Sequence, residues 1–273
     1  MDCETRRRAE GGIEDVQSLG DERRLAIESV GISGLRHPIE VRDRDTVQST
    51  IATVRLAVEL PAERRGTHMS RFIGLLMEQR DPLSATVLPT FMAGMAARLE
   101  AHGGEARFDF PWFVEKHAPV SELASFLDYD VSLSARLAGG ECTVATEVAV
   151  PVTSLCPCSK KISRYGAHNQ RSRIRVQVEN AEEFALGELI ALIEAQASAP
   201  LYGMLKREDE KFLTERAYDN PKFAEDTVRD VALACKRDGR FGTFRIEAEN
   251  FESIHNHSAF ALITGRCDRQ GAA

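Results

Sequence analysis

The sequence predicts an α+β fold made of two tandem units, each with the order strand, strand, helix, helix, strand, strand. Apolar residues alternate at the period of strands in both halves, and a pair of capped helical segments interrupts the alternation each time. Neither half has the βαβ order of a parallel-sheet nucleotide fold, and no glycine-rich phosphate loop is present. We therefore expect two antiparallel sheets, each with a helix pair on one face.

The strands of the first half follow from strict alternation. The segment "TVRLAVEL" places four apolar residues on one face of a half-buried strand, namely Val54, Leu56, Val58 and Leu60. Two more strands are predicted over residues 105–116 and 127–137, and in the second of these every odd residue from Leu127 to Leu137 is apolar.

Two helices are predicted between these strand pairs, over residues 68–80 and 81–104. The second is expected to begin at Asp81-Pro82, where a capping residue precedes a proline at the first helical position. It is expected to end at Gly103-Gly104, because glycine readily takes the left-handed conformation that terminates helices.

The second half repeats the order. Alternation predicts strands over residues 143–152, 173–179, 243–249 and 257–265. Helices are predicted over residues 181–196 and 220–239, the latter with Asn220 as its cap and Gly239 just past its end. The Gly139-Gly140 pair between the halves is the natural boundary, so the units are expected to span residues 19–139 and 140–268.

Composition narrows the class of protein. With 273 residues, of which 43% are hydrophobic and 28% charged, the chain is an ordinary globular protein. Its net charge of -7 argues against a nucleic-acid-binding surface. No apolar run approaches the roughly 20 residues that span a bilayer, and no apolar segment follows the first basic residues, so we expect a cytoplasmic protein without membrane contact.

Residues 1–18 are polar and without periodicity, and we expect a mobile extension.

The segment "SLCPCSKKISRYGAHNQRS" is the first candidate for chemistry, in a predicted loop over residues 153–169. Cys156 and Cys158 are too close in sequence for an easy disulfide. A structural zinc knuckle would need a second cysteine pair, which the chain lacks. An open metal site with one thiolate, imidazoles and a carboxylate remains possible, and so does an ordinary loop in which His168 is solvated.

Two further groups of residues could join such a site. His255 and His257 are spaced to lie on one face of an extended strand, either as ligands or as the polar start of that strand. In the charged stretch over residues 205–226, the pattern makes Glu210 a solvated surface residue. Glu225 lies at the margin of the apolar face of its predicted helix, where it could enter a cleft or remain on the surface.

Taken in order, these motifs resemble the GTP cyclohydrolase I type B family over residues 15–265. The matching segments are "VGISGLRHPIEV", "GTHMSRF", "PVTSLCPCSK", "YGAHNQRS", "YDNPKFAEDTVRD" and "ESIHNHSAFA". The resemblance implies a bimodular tunnelling fold, in which each subunit carries two ββααββ units and the sheets assemble into barrels. It also implies a homotetramer with active sites at subunit interfaces.

The resemblance also assigns roles to residues. It implies one divalent metal per site, zinc, manganese or iron, held by Cys156, His168, Glu210 and His255. Cys156, His168 and His257 would be catalytic, with His257 supporting a ligand or transferring a proton. Glu225 would hold the guanine ring, while Lys160, Arg171 and His68 are candidates for the triphosphate. The role of Cys158 stays open.

The implied reaction converts GTP and water to 7,8-dihydroneopterin triphosphate and formate, a first step of tetrahydrofolate or queuosine-type biosynthesis. One alternative is a related tunnelling-fold pterin or purine enzyme with a different product. Another is a non-catalytic protein that binds metal through the Cys-Pro-Cys segment, although this leaves Glu225 without a role.

Overall fold

The computed structural model describes residues 15–179 and 182–267, and it confirms the α+β class. Within these ranges a 3-10 turn at Val16–Ser18 precedes nine strands and six α-helices. The strands are β1 Ile27–Asp43, β2 Thr46–Leu60, β3 Gly104–His117, β4 Ala124–Ala138, β5 Glu141–Leu155, β6 Asn169–Glu179, β7 Ala199–Pro200, β8 Thr243–Asn250 and β9 Ala259–Arg266. The helices are α1 Met69–Glu78, α2 Leu88–Leu99, α3 Pro157–Ile162, α4 Leu186–Glu194, α5 Arg207–Asp219 and α6 Ala224–Asp238.

The two predicted sheets are joined into one antiparallel sheet. Its strand order is β1-β2-β3-β4-β5-β6-β8-β9, and the short β7 pairs with β5. The junction is the β4–β5 hairpin, whose two turn residues, Gly139 and Gly140, have φ of 58° and 83°. Two successive positive φ values suit a tight hairpin turn and favour glycine. The division into units at this turn stays a prediction.

The helices cover one face of this sheet and share a single hydrophobic core with it. The alternation in β2 predicts which face of the strand is buried, and the structure confirms it: Val54 and Leu56 on that face are fully buried. Helix residues such as Phe72, Met95 and Val231 belong to the same core. Several alternate residues of β3, β5, β6 and β8 instead carry charges that pair across strands, for example Arg107, Glu147, Arg175 and Glu247.

Helix α2 begins later than the sequence predicts. Its first residue is Leu88 rather than Asp81, because the chain at Leu83 pairs with β1. The Leu83 N–H donates to the Glu40 carbonyl at 2.7 Å, and the Leu83 carbonyl accepts from the Arg42 N–H at 2.8 Å. A residue committed to a bridge of this kind cannot also lie in a helix.

Helix α6 begins at Ala224 rather than at Asn220. Asn220 instead ends α5, since its N–H donates to the Arg216 carbonyl at 3.1 Å. The predicted end at Gly239 is confirmed, with φ of 76°. Helix α5 was not predicted as a separate element, and α3 lies where a loop was expected.

The predicted mobile extension, residues 1–18, falls mostly on residues 1–14, which lie outside the described residues. Its last part is described, and there Asp15 caps the 3-10 turn at Val16–Ser18. Among the described residues, no helix combines the length and apolar character needed to cross a membrane.

Candidate active site

The segments with predicted ligands meet at one end of the sheet. Strand β5 ends at Leu155, opposite Asn169, the first residue of β6. Strand β8 ends at Asn250, opposite Ser172 of β6, and β9 begins beside it at Ala259. Residues 156–168 and 251–258 therefore connect strands at the same end, which we call the site end.

Cys156 stands at the start of α3. Its backbone N–H donates to the His168 carbonyl at 3.2 Å, which continues the β5–β6 pairing by one step. Its Sγ atom accepts the Ser159 N–H at 3.4 Å, so the thiol occupies the cap position of the helix. Cys158 lies on the first turn of α3 and is exposed.

The ring of His168 is oriented by two neighbours. Nδ1 lies 3.0 Å from Oε1 of Gln170 and 3.2 Å from Oγ of Ser253. An amide oxygen can only accept a hydrogen bond, so the contact with Gln170 is a hydrogen bond that Nδ1 donates. A second partner of this kind orients an imidazole that binds a metal through its other ring nitrogen.

His255 and His257 lie in the connection between β8 and β9. Their rings stack with centroids 5.2 Å apart, but the segment is not the extended strand that the spacing suggested, because β9 begins only at Ala259. Both residues are exposed. Because Ser253 contacts His168, this connection and the Cys156–His168 segment are in direct contact.

Glu210 lies in the first turn of α5 and is exposed. The preceding residue, Asp209, accepts hydrogen bonds from Val120 and Ser121 in the connection between β3 and β4. Because β4 is antiparallel to β5, the start of β4 points to the same end of the sheet as the end of β5, although β7 replaces β4 as the partner of β5 beyond Ala149. Glu210 is therefore held at the site end as well.

Two predicted substrate-binding residues also lie at the site end. Glu225 occupies the first turn of α6 and is exposed, just after Lys222, whose N–H donates to the Leu155 carbonyl at 3.1 Å. Arg171 is exposed near the start of β6, and its carbonyl accepts the Phe251 N–H at 3.0 Å.

Lys160 lies on α3 and its ammonium already has a partner in this structure. Nζ donates to the Tyr218 carbonyl and lies 4.2 Å from the centroid of the Tyr218 ring. Of the predicted triphosphate ligands on this side, Arg171 is thus the more accessible cation.

His68 is not brought to the site end. It precedes α1, beyond the end of β2, and its Nε2 lies 3.1 Å from the carboxylate oxygens of Asp15. The register across β2, β3, β4 and β5 aligns Val58 with Cys142. Thirteen residues of β5 separate Cys142 from Leu155, which corresponds to about 43 Å along the sheet at about 3.3 Å per residue.

The predicted ligands have the donor atoms that a divalent metal needs, but their side chains do not converge on one position. Thiolate, imidazole and carboxylate donors together match zinc, manganese or iron. Within residues 15–179 and 182–267, however, no three His, Cys, Asp or Glu side chains are grouped closely enough to hold an ion. His168 is oriented for binding, whereas Glu210 and His255 extend into solvent.

Four large apolar side chains in this region are exposed to solvent. Ile162 is 83% exposed, Tyr165 93%, Ile254 66% and Phe260 72%. All four lie on the segments that form the site end or on the strand that follows. Exposed large apolar side chains are frequent at surfaces that bind a partner or a ligand.

Three residues of this region were not found from the sequence. Gln170 and Ser253 orient His168, and Asp209 fixes the turn that carries Glu210. Gln170 and Ser253 are polar neighbours of the predicted histidines in the sequence, which is the signal available for them. Asp209 is one of many charges in its segment, and nothing local distinguishes it.

Comparison with known proteins gives a consistent result. The family model described as type I GTP cyclohydrolase folE2 matches residues 13–261. A protein named GTP cyclohydrolase FolE2 from Janthinobacterium sp. (strain Marseille) is 53% identical over 92% of this chain and 94% of its own length. Another of that name from Burkholderia pseudomallei (strain 1710b) is 52% identical over 96% of this chain and 99% of its own.

Among solved structures, uricase from Arthrobacter globiformis superposes with a TM-score of 0.55 and 8% identity, covering 90% of this chain and 96% of that one. At this identity the likeness concerns the fold alone, and it agrees with the tunnelling fold that the family resemblance implies. Together with the match over residues 13–261, the relatives at more than 50% identity establish that the chain belongs to the type I GTP cyclohydrolase family folE2.

Proposed function

We propose that this protein is a metal-dependent GTP cyclohydrolase that converts GTP and water to 7,8-dihydroneopterin triphosphate and formate. The observation that carries the proposal is the meeting of three segments at the site end. These segments hold Cys156, His168, His255 and Glu210, the residues that the family resemblance assigns to the metal. The product would enter tetrahydrofolate or queuosine-type biosynthesis.

Cys156, His168, Glu210 and His255 would hold one divalent cation, zinc, manganese or iron. When bound, such a cation would act as a Lewis acid and lower the pKa of water to about 7, which would supply hydroxide for attack at C8 of the guanine ring. His168 contributes an imidazole whose orientation Gln170 and Ser253 already fix. His257, which stacks on His255, would support that ligand or transfer a proton.

Glu225 would select the base. A carboxylate can accept two parallel N–H bonds, one from guanine N1 and one from the 2-amino group. Adenine lacks this pair of donors, so ATP would leave the carboxylate poorly paired. The exposed position of Glu225 at the start of α6, on the side of Leu155, supports this role. Arg171, Lys160 and His68 remain the candidates for the triphosphate.

We further propose a homotetramer in which the active sites lie at subunit interfaces and the sheets close into barrels. Three observations support this assembly. First, the proposed metal ligands lie at one end of the sheet, but within the described part of one chain they are too far apart to hold an ion. Second, large apolar side chains in the same segments are exposed. Third, His68 lies at the opposite end of the sheet. We expect the enzyme to act in the cytoplasm, without nucleic-acid or membrane partners.

The test is direct. Protein reconstituted with Zn(II), Mn(II) or Fe(II) is incubated with GTP, and the oxidised products are examined for pterin fluorescence while formate is quantified. Equal amounts of formate and of a pterin triphosphate of the expected mass support the proposal, with ATP as the unreactive control. Absence of turnover with all three metals would contradict it. A pterin of another mass would instead favour a related enzyme with a different product.

A further inference from the structure

Asp209 is a fully buried carboxylate in a chain segment that is otherwise exposed and charged. Its Oδ1 atom accepts the N–H groups of Val120 and Ser121, both at 2.9 Å. Its Oδ2 atom accepts the Ser121 hydroxyl at 2.6 Å and the Lys206 N–H at 2.8 Å. We call these four hydrogen bonds the Asp209 latch.

The latch joins parts of the chain that are far apart in sequence. Val120 and Ser121 belong to the connection between β3 and β4, in the first predicted unit, whereas Asp209 lies in the first turn of α5, in the second. The carboxylate is buried, and its two oxygens accept four hydrogen bonds, three of them from backbone N–H groups.

The segment that leads to the latch is held against the same β3–β4 hairpin. Lys116 donates to both carboxylate oxygens of Glu194, at 2.6 and 2.8 Å, and to the Leu201 carbonyl at 2.6 Å. A Cβ atom on Gly203 would lie 2.7 Å from the Phe126 carbonyl oxygen, so only glycine allows this approach. The hairpin thus fixes the chain from Glu194 to Asp209.

The next residue is Glu210, whose carboxylate has no hydrogen-bond partner among the described residues. Its position consequently depends on the backbone of the first turn of α5, and that turn depends on the latch. We propose that Asp209 is a positioning residue, which holds Glu210 where its carboxylate reaches the metal. The inference rests on the proposed function, since it takes Glu210 as a metal ligand.

The test compares three variants of the full chain. Asp209→Ala removes the latch. Ser121→Ala removes one hydrogen bond and leaves the three backbone N–H donors, so it keeps the proposal testable if the first variant does not fold. Glu208→Gln is the matched control, because it removes the same charge from the same turn at an exposed residue whose side chain makes no hydrogen bond or ion pair within the described part of the chain. For each, Mn(II) affinity is measured by competition with a chelator, and amide hydrogen exchange is followed over residues 207–213.

Loss of residues that orient metal ligands typically lowers metal affinity about 10–100-fold. We expect a loss in that range for Asp209→Ala, a smaller one for Ser121→Ala, and no change for Glu208→Gln. Exchange at the start of α5 should accelerate in the first two variants and not in the control. Asp209→Asn should recover part of the affinity, because its amide oxygen can still accept the N–H groups of Val120 and Ser121.

Unchanged metal affinity in Asp209→Ala, together with faster exchange, would show that the latch only stabilises the fold, and the proposal would be wrong. Unchanged exchange would equally overturn it. Glu210→Gln separates this failure from failure of the proposed function. If Glu210→Gln keeps its metal, the ligand set is wrong, and the exchange data alone decide whether Asp209 fixes the turn.

Discussion

The backbone N–H of Cys156 donates to the carbonyl of His168 at 3.2 Å, immediately beyond the last pair of the β5–β6 ladder. The two residues are the first and last of the connection between these strands, so the ladder itself sets the distance between a thiol and an imidazole. Rigid strands position side chains more precisely than loops do. Half of the proposed ligand set is therefore anchored to the sheet by the β5–β6 ladder.

Replacing Cys156 by alanine should remove metal and activity together. The loss of metal affinity should exceed the roughly 100-fold typical of residues that only orient a ligand, because a donor atom itself is removed. Bound metal is measured by elemental analysis and turnover by pterin fluorescence. Cys158→Ala is the control, since Cys158 is exposed on the adjacent turn. If Cys158→Ala also loses the metal, the assignment of Cys156 as the only thiolate ligand is wrong.

Glu225→Ala should keep the metal and lose GTP turnover. A buried charge-assisted hydrogen bond to a substrate is worth about 1.5–3 kcal/mol, so kcat/KM should fall by at least about tenfold. Lys236→Ala, exposed near the far end of α6, should behave as the unaltered protein. A Glu225→Ala enzyme with normal kcat/KM would contradict the guanine assignment, and metal loss in this variant would point to a structural effect.

Most of the fold followed from the sequence because its signals are local. Alternation in "TVRLAVEL" reports which side of β2 is buried, and no distant residue is needed to see it. The start of α2 did not follow, because Leu83 is withheld from the helix by β1, more than forty residues earlier. Asn220 likewise had the chemistry of a helix start but ends the preceding helix.

The candidate site also has one part that the sequence could predict and another that it could not. Cys156 and His168 share one short segment, so their proximity could be expected. The position of Glu210 depends on Asp209 and Ser121, which are 88 residues apart. Sequence pattern alone placed Glu210 on a solvated surface, and its role came from the family resemblance. Only the strand register shows that His68 lies at the end of the sheet opposite to Cys156.

Lys116→Met should destabilise the protein strongly. The Lys116 and Glu194 side chains are only 10% and 11% exposed, and Tyr129 also donates to Glu194 at 2.8 Å. Removing the cation leaves a buried carboxylate without its counter-charge, which costs about 3–5 kcal/mol in unfolding free energy. Chemical denaturation measures the change. Lys211→Met is the control, because that lysine is exposed and its pair with Glu215 should contribute less than about 1 kcal/mol.

The separation of His68 from Cys156 gives the sharpest test of the proposed assembly. If both residues serve one active site, they come from different subunits, because about 43 Å of sheet lies between their ends. His68→Ala and Cys156→Ala subunits should each be inactive alone. After mixing, unfolding and refolding, a site receives Cys156 from one variant and His68 from the other in about one quarter of random pairings. Recovery of about one quarter of the original activity is therefore expected, and no recovery in confirmed mixed tetramers would show that His68 does not act across the interface.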